Sequence, residues 1–510
     1  MRQSRSNNPF RLPGNESGAA SPARPNAALL GVALALAFLC GRLPAGEAKA
    51  PRPPNIIFIL ADDLGWAELG CYGNKFNETP RLDRMARQGL HFTEAYAAAP
   101  VCSPYRASFL TGQFPARHGI LDYLRPNTAN PLSIAHVTLA EMLKKNGYAT
   151  GMIGKWHLSG YRHHGAAKEI RAIEHGFDEE LASEVKGVGN GANFWPYVFR
   201  TQSIRWLNIR ENRLGKDEYL VDRMNDEAVR FIERNRARPF FLYLSHYATH
   251  SILNGKPALV DKYRRKHPPG KSVRKRCYLC QDAGKQGDPD DHWAPDHNPH
   301  LAAMLESIDD GVGMILDKLA ELELARNTLV VFSSDNGGES QVTSNAPLRG
   351  GKSSLYEGGI RVPLVVRWPG TVPAGKTCST PTSNVDFYPT FLAAAGVTPD
   401  PKQKLDGISI LAQLKKPGNE LRKAPLFWHY PLAKPHFLGG HSGGAIRQGP
   451  WKLIEWFDTG KVELFNIEED RGEVNDLFAQ RRKTAELLLS QLSSWRKELG
   501  AKTTVAKKKG

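Results

Sequence analysis

The chain has 510 residues, 41% hydrophobic and 24% charged, enough apolar material for a large packed core, which excludes a disordered chain. Six cysteines in that length also exclude a small disulfide-framed scaffold. The formal net charge of +16 would suit a nucleic-acid binder if it covered one face. Residues 1–50, 255–285 and 501–510 together carry the whole excess, so the rest is neutral and nucleic acid is not an expected partner. These segments read as solvated basic stretches, with contact to an acidic polysaccharide or a membrane surface as the alternative.

In chain order, residues 1–50 read as a signal peptide. Arg2, Arg5, Arg11 and Arg24 precede an apolar run from Ala27 to Cys40, and Ala48-Lys49-Ala50 offers a small-x-small cleavage site. A secreted or periplasmic protein is expected, with an uncleaved membrane anchor as the alternative. After cleavage no stretch is long and apolar enough to span a bilayer.

Five apolar runs follow, at 55–61, 148–153, 240–244, 329–332 and 362–366. Each reads as a strand buried on both faces. Between them, 138–146, 222–235 and 300–324 follow a helical period. The alternation predicts an α/β domain, residues 51–424, with a mainly parallel sheet flanked by helices. Residues 251–299 lack sustained periodicity and read as a basic insertion. From 425 to 500, short strands and a closing helix over 485–499 predict a small C-terminal α+β subdomain. Residues 501–510 are expected to be a disordered basic tail.

In such sheets ligands bind beyond the carboxyl ends of the strands. Four of the five runs carry Asp, Lys or His there: Asp62-Asp63, Lys155 with His157, His250, and Asp335-Asn336. Asp62, Asp63, Asp335 and the amide of Asn336 form a hard, oxygen-only donor set suited to Ca²⁺ or Mg²⁺ rather than zinc. A lone Lys or His on a loop is usually just solvated; convergence at one sheet edge is what raises these.

The strongest local pattern is Cys102-Ser103-Pro104-Tyr105-Arg106, continuing to Thr111-Gly112. Ser103 is a candidate helix cap, Pro104 fits a first turn and Gly112 can stop the helix. Cys102 would then lie just before the helix N-terminus, with Arg106 one turn on and able to fold back toward it.

This pattern resembles the signature of the formylglycine-dependent sulfatases, Cys-x-Pro-x-Arg followed by Thr-Gly, in the alkaline phosphatase superfamily. The resemblance runs from about residue 54 to 499. It extends to Gly154-Lys155-Trp156-His157-Leu158, to Leu348-Arg349-Gly350-Gly351-Lys352 and to Glu357-Gly358-Gly359. It implies an alkaline-phosphatase-like fold and hydrolysis of sulfate monoesters, with sulfated carbohydrates as natural substrates and aryl sulfates as assay substrates. It implies that a maturing enzyme converts Cys102 to formylglycine, whose hydrate attacks sulfur, and that residue 102 joins Asp62, Asp63, Asp335 and Asn336 at the metal. Lys155 and Lys352 would contact sulfate, and His157 would act as base. His250 would bind sulfate or protonate the leaving alcohol, although Thr249 and Ile252 stand where the family pattern Pro-His-x-Pro has proline.

Two other functions compete: a phosphate or phosphonate monoester hydrolase of the same superfamily, and a non-catalytic binder of acidic glycans using the basic 255–285 segment. For His429, His436, His441 and Arg447, substrate contact and a structural role are equally open. Cys277-x-x-Cys280, with His292, His297 and His300 nearby, invites a zinc site or a local disulfide.

Overall fold

The computed structural model describes residues 52–125, 130–159, 169–183, 193–199, 202–203, 208–266, 275–276, 280, 292–293, 297–418 and 422–503. The predicted leader, most of the predicted insertion and the end of the tail lie outside them.

The strands of the main sheet are β1 (Asn55–Ala61), β2 (Leu90–Tyr96), β3 (Ala149–Gly154), β4 (Glu179–Leu181), β5 (Phe240–Ser245), β6 (Thr328–Ser334), β7 (Arg361–Arg367), β8 (Lys376–Cys378) and β9 (Thr382–Ser383). Their order is β8-β2-β7-β6-β1-β5-β3-β4, with β9 also on β2. The half from β6 to β4 is parallel. β7 runs antiparallel to both β6 and β2, so the fifth predicted strand reverses direction within the sheet. β2 was not among the predicted runs, because His91, Thr93 and Glu94 break its apolar pattern.

All seven residues of β1 are buried. Alternate side chains enter two cores, Ile57, Ile59 and Ala61 on one face and Ile56, Phe58 and Leu60 on the other. Burying one such aliphatic side chain contributes roughly 1.5–3 kcal/mol, and two-sided burial is why the run reads as continuously apolar rather than alternating. Helices α1 (Pro80–Arg87), α2 (Cys102–Thr111), α3 (Leu139–Lys145), α4 (Leu220–Asn235), α5 (Pro257–Lys266), α6 (Pro299–Glu321) and α7 (Phe387–Ala395) surround the sheet. α4 and α6 supply Met224, Phe231, Ile308 and Ile315 to the first core. α2, α3 and α7 supply Phe109, Leu143 and Phe391 to the second. Phe109 stacks on Phe58 with ring centroids 4.2 Å apart, fastening α2 to the central strand. Thr138 starts α3 with a capping box, accepting from Glu141 N while Glu141 returns the bond.

α5 lies inside the segment read as aperiodic. It buries only Val260 and Tyr263, too narrow an apolar stripe to stand out in a basic sequence.

A second, antiparallel sheet comprises β10 (Leu426–Tyr430), β11 (Gly443–Gln448), β12 (Trp451–Trp456) and β13 (Val462–Asn466), closed by α8 (Arg482–Glu498). One face packs Ile446, Leu453 and Leu464 against Ala485, Leu488 and Leu492 of α8. The other packs Trp428, Ile454 and Phe465 against Tyr96, Val101, Leu355 and Ile360. Trp428 Nε1 donates to Ala97 O at 2.7 Å. Residues from Arg52 onward form one compact unit.

Candidate active site

Strand register sets the site. β1 and β6 pair in parallel from Asn55↔Thr328 to Ala61↔Ser334, so Asp62 and Asp335 leave the sheet at the same level. Gly154 pairs with Ser245, which places Lys155 one residue beyond the end of β3. Gly154 has φ +99°, and a Cβ there would stand 2.0 Å from Ser245 O, so only glycine permits this exit.

Cys102 is the first residue of α2, not the residue before it, and Val101 is the N-cap. Ser103 does not cap. Its Oγ donates to His157 O and accepts from Leu124 N, both at 2.9 Å. The hydroxyl ties three segments of the site together, which its place in the motif could not reveal. Gly112 ends the helix with φ +67°, as expected. Fully buried, Arg106 turns back to the carboxylates that cluster with Cys102, reaching Asp335 Oδ2 at 2.6 Å and Asp62 Oδ1 at 3.5 Å, and donates to Lys155 O at 2.9 Å. It also bonds Ser245 Oγ, a partner with no motif to announce it.

The carboxylates of Asp62, Asp63 and Asp335 and the sulfur of Cys102 each offer an atom within 4.8 Å of the others. Asp63, Cys102 and His250 form a second, overlapping group. Three buried acids so close would repel strongly, and three cations answer them. Lys155 Nζ lies 2.5 Å from Asp62 Oδ2, Lys352 Nζ 2.6 Å from Asp63 Oδ2, and Arg106 on Asp335. Burial disfavours the Asp63 carboxylate, but Lys352, His250 and Lys155 outweigh it and hold its carboxyl below the ordinary range. Burial and the neighbouring Asp62 push Asp335 up to about 7 against the pull of Arg106. Burial pushes the Cys102 thiol far up, so the unmodified side chain is a neutral, poor nucleophile.

Asn336 Nδ2 donates to Asp63 Oδ1 at 2.7 Å, and Asn336 Oδ1 is buried with no hydrogen-bond partner. An orphaned acceptor beside three carboxylates is the arrangement a hard cation completes.

His157 Nε2 donates to Leu124 O at 3.0 Å, which leaves Nδ1 as the basic nitrogen of the neutral ring. Burial, then Lys155 and Arg106, hold the ring well below its usual pKa and hence neutral. His250 Nε2 lies 3.7 Å from Asp63 Oδ2. The structure thus brings together every residue proposed from the sequence: Asp62, Asp63, Cys102, Arg106, Lys155, His157, His250, Asp335, Asn336 and Lys352.

The chain matches the Sulfatase family model over residues 54–397, and the N-sulphoglucosamine sulphohydrolase C-terminal model over residues 351–498. The chain belongs to the sulfatase family. Steryl-sulfatase of Mus musculus is 34% identical over 488 residues, 81% of this chain and 72% of that protein. N-acetylgalactosamine-6-sulfatase of Homo sapiens is 34% identical over 409 residues, 75% of this chain and 70% of its own length. The solved structure of Ps i-CgsB in complex with k-i-k-neocarrahexaose superposes with a TM-score of 0.72 at 30% identity, covering 87% of this chain and 93% of that one. This sulfatase is therefore a hydrolase of sulfate esters on the alkaline-phosphatase-like fold, as expected, and the competing reading of a binding protein without catalysis falls away.

The remaining candidates divide. Arg447 is buried against Glu94 and Tyr96, and His441 pairs with Asp458 at 2.7 Å, whereas His436 packs on Tyr123 and lies within reach of the charges of Lys352 and Asp63. Cys280 is buried and disulfide-bonded, so it has no thiolate to offer zinc; Cys277 lies outside the described residues. Among the described residues no helix is long and apolar enough to cross a membrane.

Proposed function

We propose that this sulfatase is an exported enzyme that hydrolyses sulfate monoesters of carbohydrates, using a formylglycine made from Cys102 and a Ca²⁺ ion (or Mg²⁺) held by Asp62, Asp63, Asp335, Asn336 and residue 102. The observation that carries this reading is the convergence on Cys102 of an oxygen-rich donor set and four basic side chains at one sheet edge. The formylglycine would supply a hydroxyl nucleophile, and the cation would offset the charge of the sulfate and polarise it.

The chain's own residues do the rest. Lys155 and Lys352, which pair with Asp62 and Asp63, would turn their ammonium groups to the sulfate oxygens, and those carboxylates would then hold the cation. Arg106 touches no solvent and braces Asp62 and Asp335 from below. His157 accepts a proton at Nδ1, its orientation fixed by Leu124 O. His250, against Asp63, binds the sulfate or protonates the leaving alcohol. Near-complete burial of Asp62, Asp63, Cys102, Lys155 and His157 keeps water from competing for these groups.

Carbohydrate esters are favoured over steryl esters because relatives named for N-acetylgalactosamine 6-sulfate and a structure in complex with k-i-k-neocarrahexaose both match along most of the chain, beside the steryl-sulfatase. Cys102 is only 2% exposed. A maturing enzyme would therefore act on the chain before it folds, during the export that the leader suggests.

The test is mass spectrometry of the Cys102 peptide from protein exported by its own host. A loss of about 18 Da relative to cysteine is expected for the aldehyde. Active protein with only unmodified Cys102 would refute the nucleophile. Faster turnover of phosphate or phosphonate monoesters than of sulfate esters would instead favour that alternative activity.

A further inference from the structure

The loop between β10 and β11 carries a histidine that the proposed reaction does not use. His436 heads a tight turn. Its N donates to Gly440 O at 2.7 Å, and Gly439 N returns to His436 O at 2.8 Å, with Gly439 at φ +88°. Gly440 pins the turn to the catalytic edge: a Cβ there would stand 1.9 Å from O of Ser353, the residue after Lys352. At the base of the loop, Leu432 N donates to Ser442 Oγ at 2.9 Å.

His436 is 7% exposed, and Leu438 N donates to its Nδ1 at 3.2 Å. A backbone N–H can only donate, so Nδ1 is the accepting nitrogen and Nε2 carries the ring's proton. That buried donor has no hydrogen-bond partner among the described residues. A buried donor left unmatched is costly, so its position points to an acceptor that arrives with the substrate. The surroundings say which kind. The ring packs on Tyr123 with centroids 5.6 Å apart, and Tyr123 directly precedes Leu124, whose carbonyl holds His157. Lys352 and Asp63 are close enough for their charges to act on it. Phe437 stacks on the same ring, centroids 4.4 Å apart, yet remains 74% exposed. An N–H beside the sulfate site thus adjoins an open aromatic face. A sugar offers hydroxyls at its rim and a patch of C–H groups on its face; a sterol offers only the apolar surface.

We propose that His436 is a specificity-determining residue that donates from Nε2 to a hydroxyl of the sulfated sugar, with Phe437 as the aromatic surface beside it. The inference rests on the reading of the substrate as a carbohydrate ester, and it deepens that reading. A sugar satisfies the donor on binding, whereas a steryl ester leaves it buried and unmatched. A site built to hydrogen-bond its substrate discriminates against an analogue that lacks the partner. His436 exchanges no proton in the reaction: it orients the sugar, and with it the ester, at the catalytic edge.

The test uses full-length enzyme purified from its own host and supplied with Ca²⁺. Its probes are galactose and N-acetylgalactosamine monosulfates, each sulfate position in turn, against 4-nitrophenyl sulfate, which has no hydroxyl. His436→Phe keeps a ring against Tyr123 and Phe437 but removes the donor. It should lower kcat/KM about tenfold more on the best sugar sulfate than on 4-nitrophenyl sulfate. His436→Gln, whose amide N–H can reach the same hydroxyl, should recover part of that loss. One monodeoxy analogue of the best sugar sulfate should cost the wild type a similar factor and cost His436→Phe nothing further. Equal losses on sugar and aryl esters would mean that His436 contacts the sulfate or merely props the loop, and would overturn the proposal. So would losses that add for every deoxy analogue. No turnover of any sugar sulfate by a wild type that cleaves 4-nitrophenyl sulfate would instead sink the carbohydrate reading beneath it.

Discussion

Two buried clusters of charge in this protein are built on different principles. Between the two sheets, Lys452 pairs with Glu357 Oε1 at 2.9 Å and Glu473 Oε1 at 2.8 Å. Tyr96 Oη donates to Glu357 Oε2 at 2.8 Å, and Arg361 adds a pair at 3.2 Å. Each acid there faces a base, and the cluster locks the small sheet onto the large one. At the catalytic edge the acids also face bases, yet Asn336 Oδ1 is left without a partner and four candidate ligand atoms crowd within 4.8 Å. The first cluster matches each carboxylate with a base of the chain; the second crowds three carboxylates and a sulfur together, a donor set that a cation would fit. Buried charge by itself marks neither function nor stability; the crowding of candidate ligand atoms separates the two.

The sharpest way to test that contrast is to remove a group from each cluster. Cys102→Ala should abolish sulfate-ester turnover, by at least about 10⁴-fold, while thermal unfolding stays within a degree or two of wild type. Loss of fold along with activity would mean that Cys102 is a packing residue. Lys452→Met, in the other cluster, removes the lysine from Glu473 and leaves Glu357 with Arg361 and Tyr96 alone, and should cost about 3–5 kcal/mol of stability. Denaturant unfolding reads this directly. An unchanged midpoint would mean that the inter-sheet network adds nothing to the fold.

A smaller effect separates the clusters by their response to metal. Ca²⁺ at a hundred times its dissociation constant should stabilise the wild type by about 2.7 kcal/mol, seen as a rise in Tm that a chelator reverses. Asp335→Ala should erase that rise, whereas Lys452→Met should keep it despite a lower starting Tm. A calcium shift that survives Asp335→Ala would place the ion elsewhere.

Much of this was legible in the sequence because register and burial both leave a pattern. A strand buried on both faces reads as an unbroken apolar run, and Asp62, Lys155 and Asp335 follow such runs directly. The Cys102–Arg106 spacing marked which helix carries the proposed nucleophile. What remained hidden was carried by partners distant in the chain. Ser103 looked like a cap because its neighbours suit one, but its hydroxyl is held by His157 and Leu124, 54 and 21 residues away. Arg106 reaches Asp335, 229 residues on, and Ser251 reaches Glu339, 88 residues on. β2 was obscured by its half-polar sequence, and α5 by a narrow apolar stripe among basic residues.

Glu68 offers a third kind of buried acid, and the mildest prediction. It is 4% exposed, and no cation pairs with it among the described residues. Asn77 Nδ2 donates to its Oε2 at 2.6 Å, and Thr343 Oγ1 bonds its Oε1. With no positive charge to oppose it, burial pushes the carboxyl up to about 7 despite those bonds. The folded state then holds a proton that the unfolded state releases near the ordinary glutamate value. Between those two values the native state binds more protons, so stability is fully present below about pH 4.3 and falls as pH rises towards 7. Above pH 7 the ionised carboxylate costs on the order of 1–3 kcal/mol. Glu68→Gln keeps an acceptor for Asn77 and cannot ionise. It should leave Tm near the wild-type value at pH 5 and raise it by several degrees at pH 8. A parallel pH dependence in both proteins would show that Glu68 is ionised in the fold throughout. The catalytic acids would then be no better compensated by their three cations than this one is by two neutral donors.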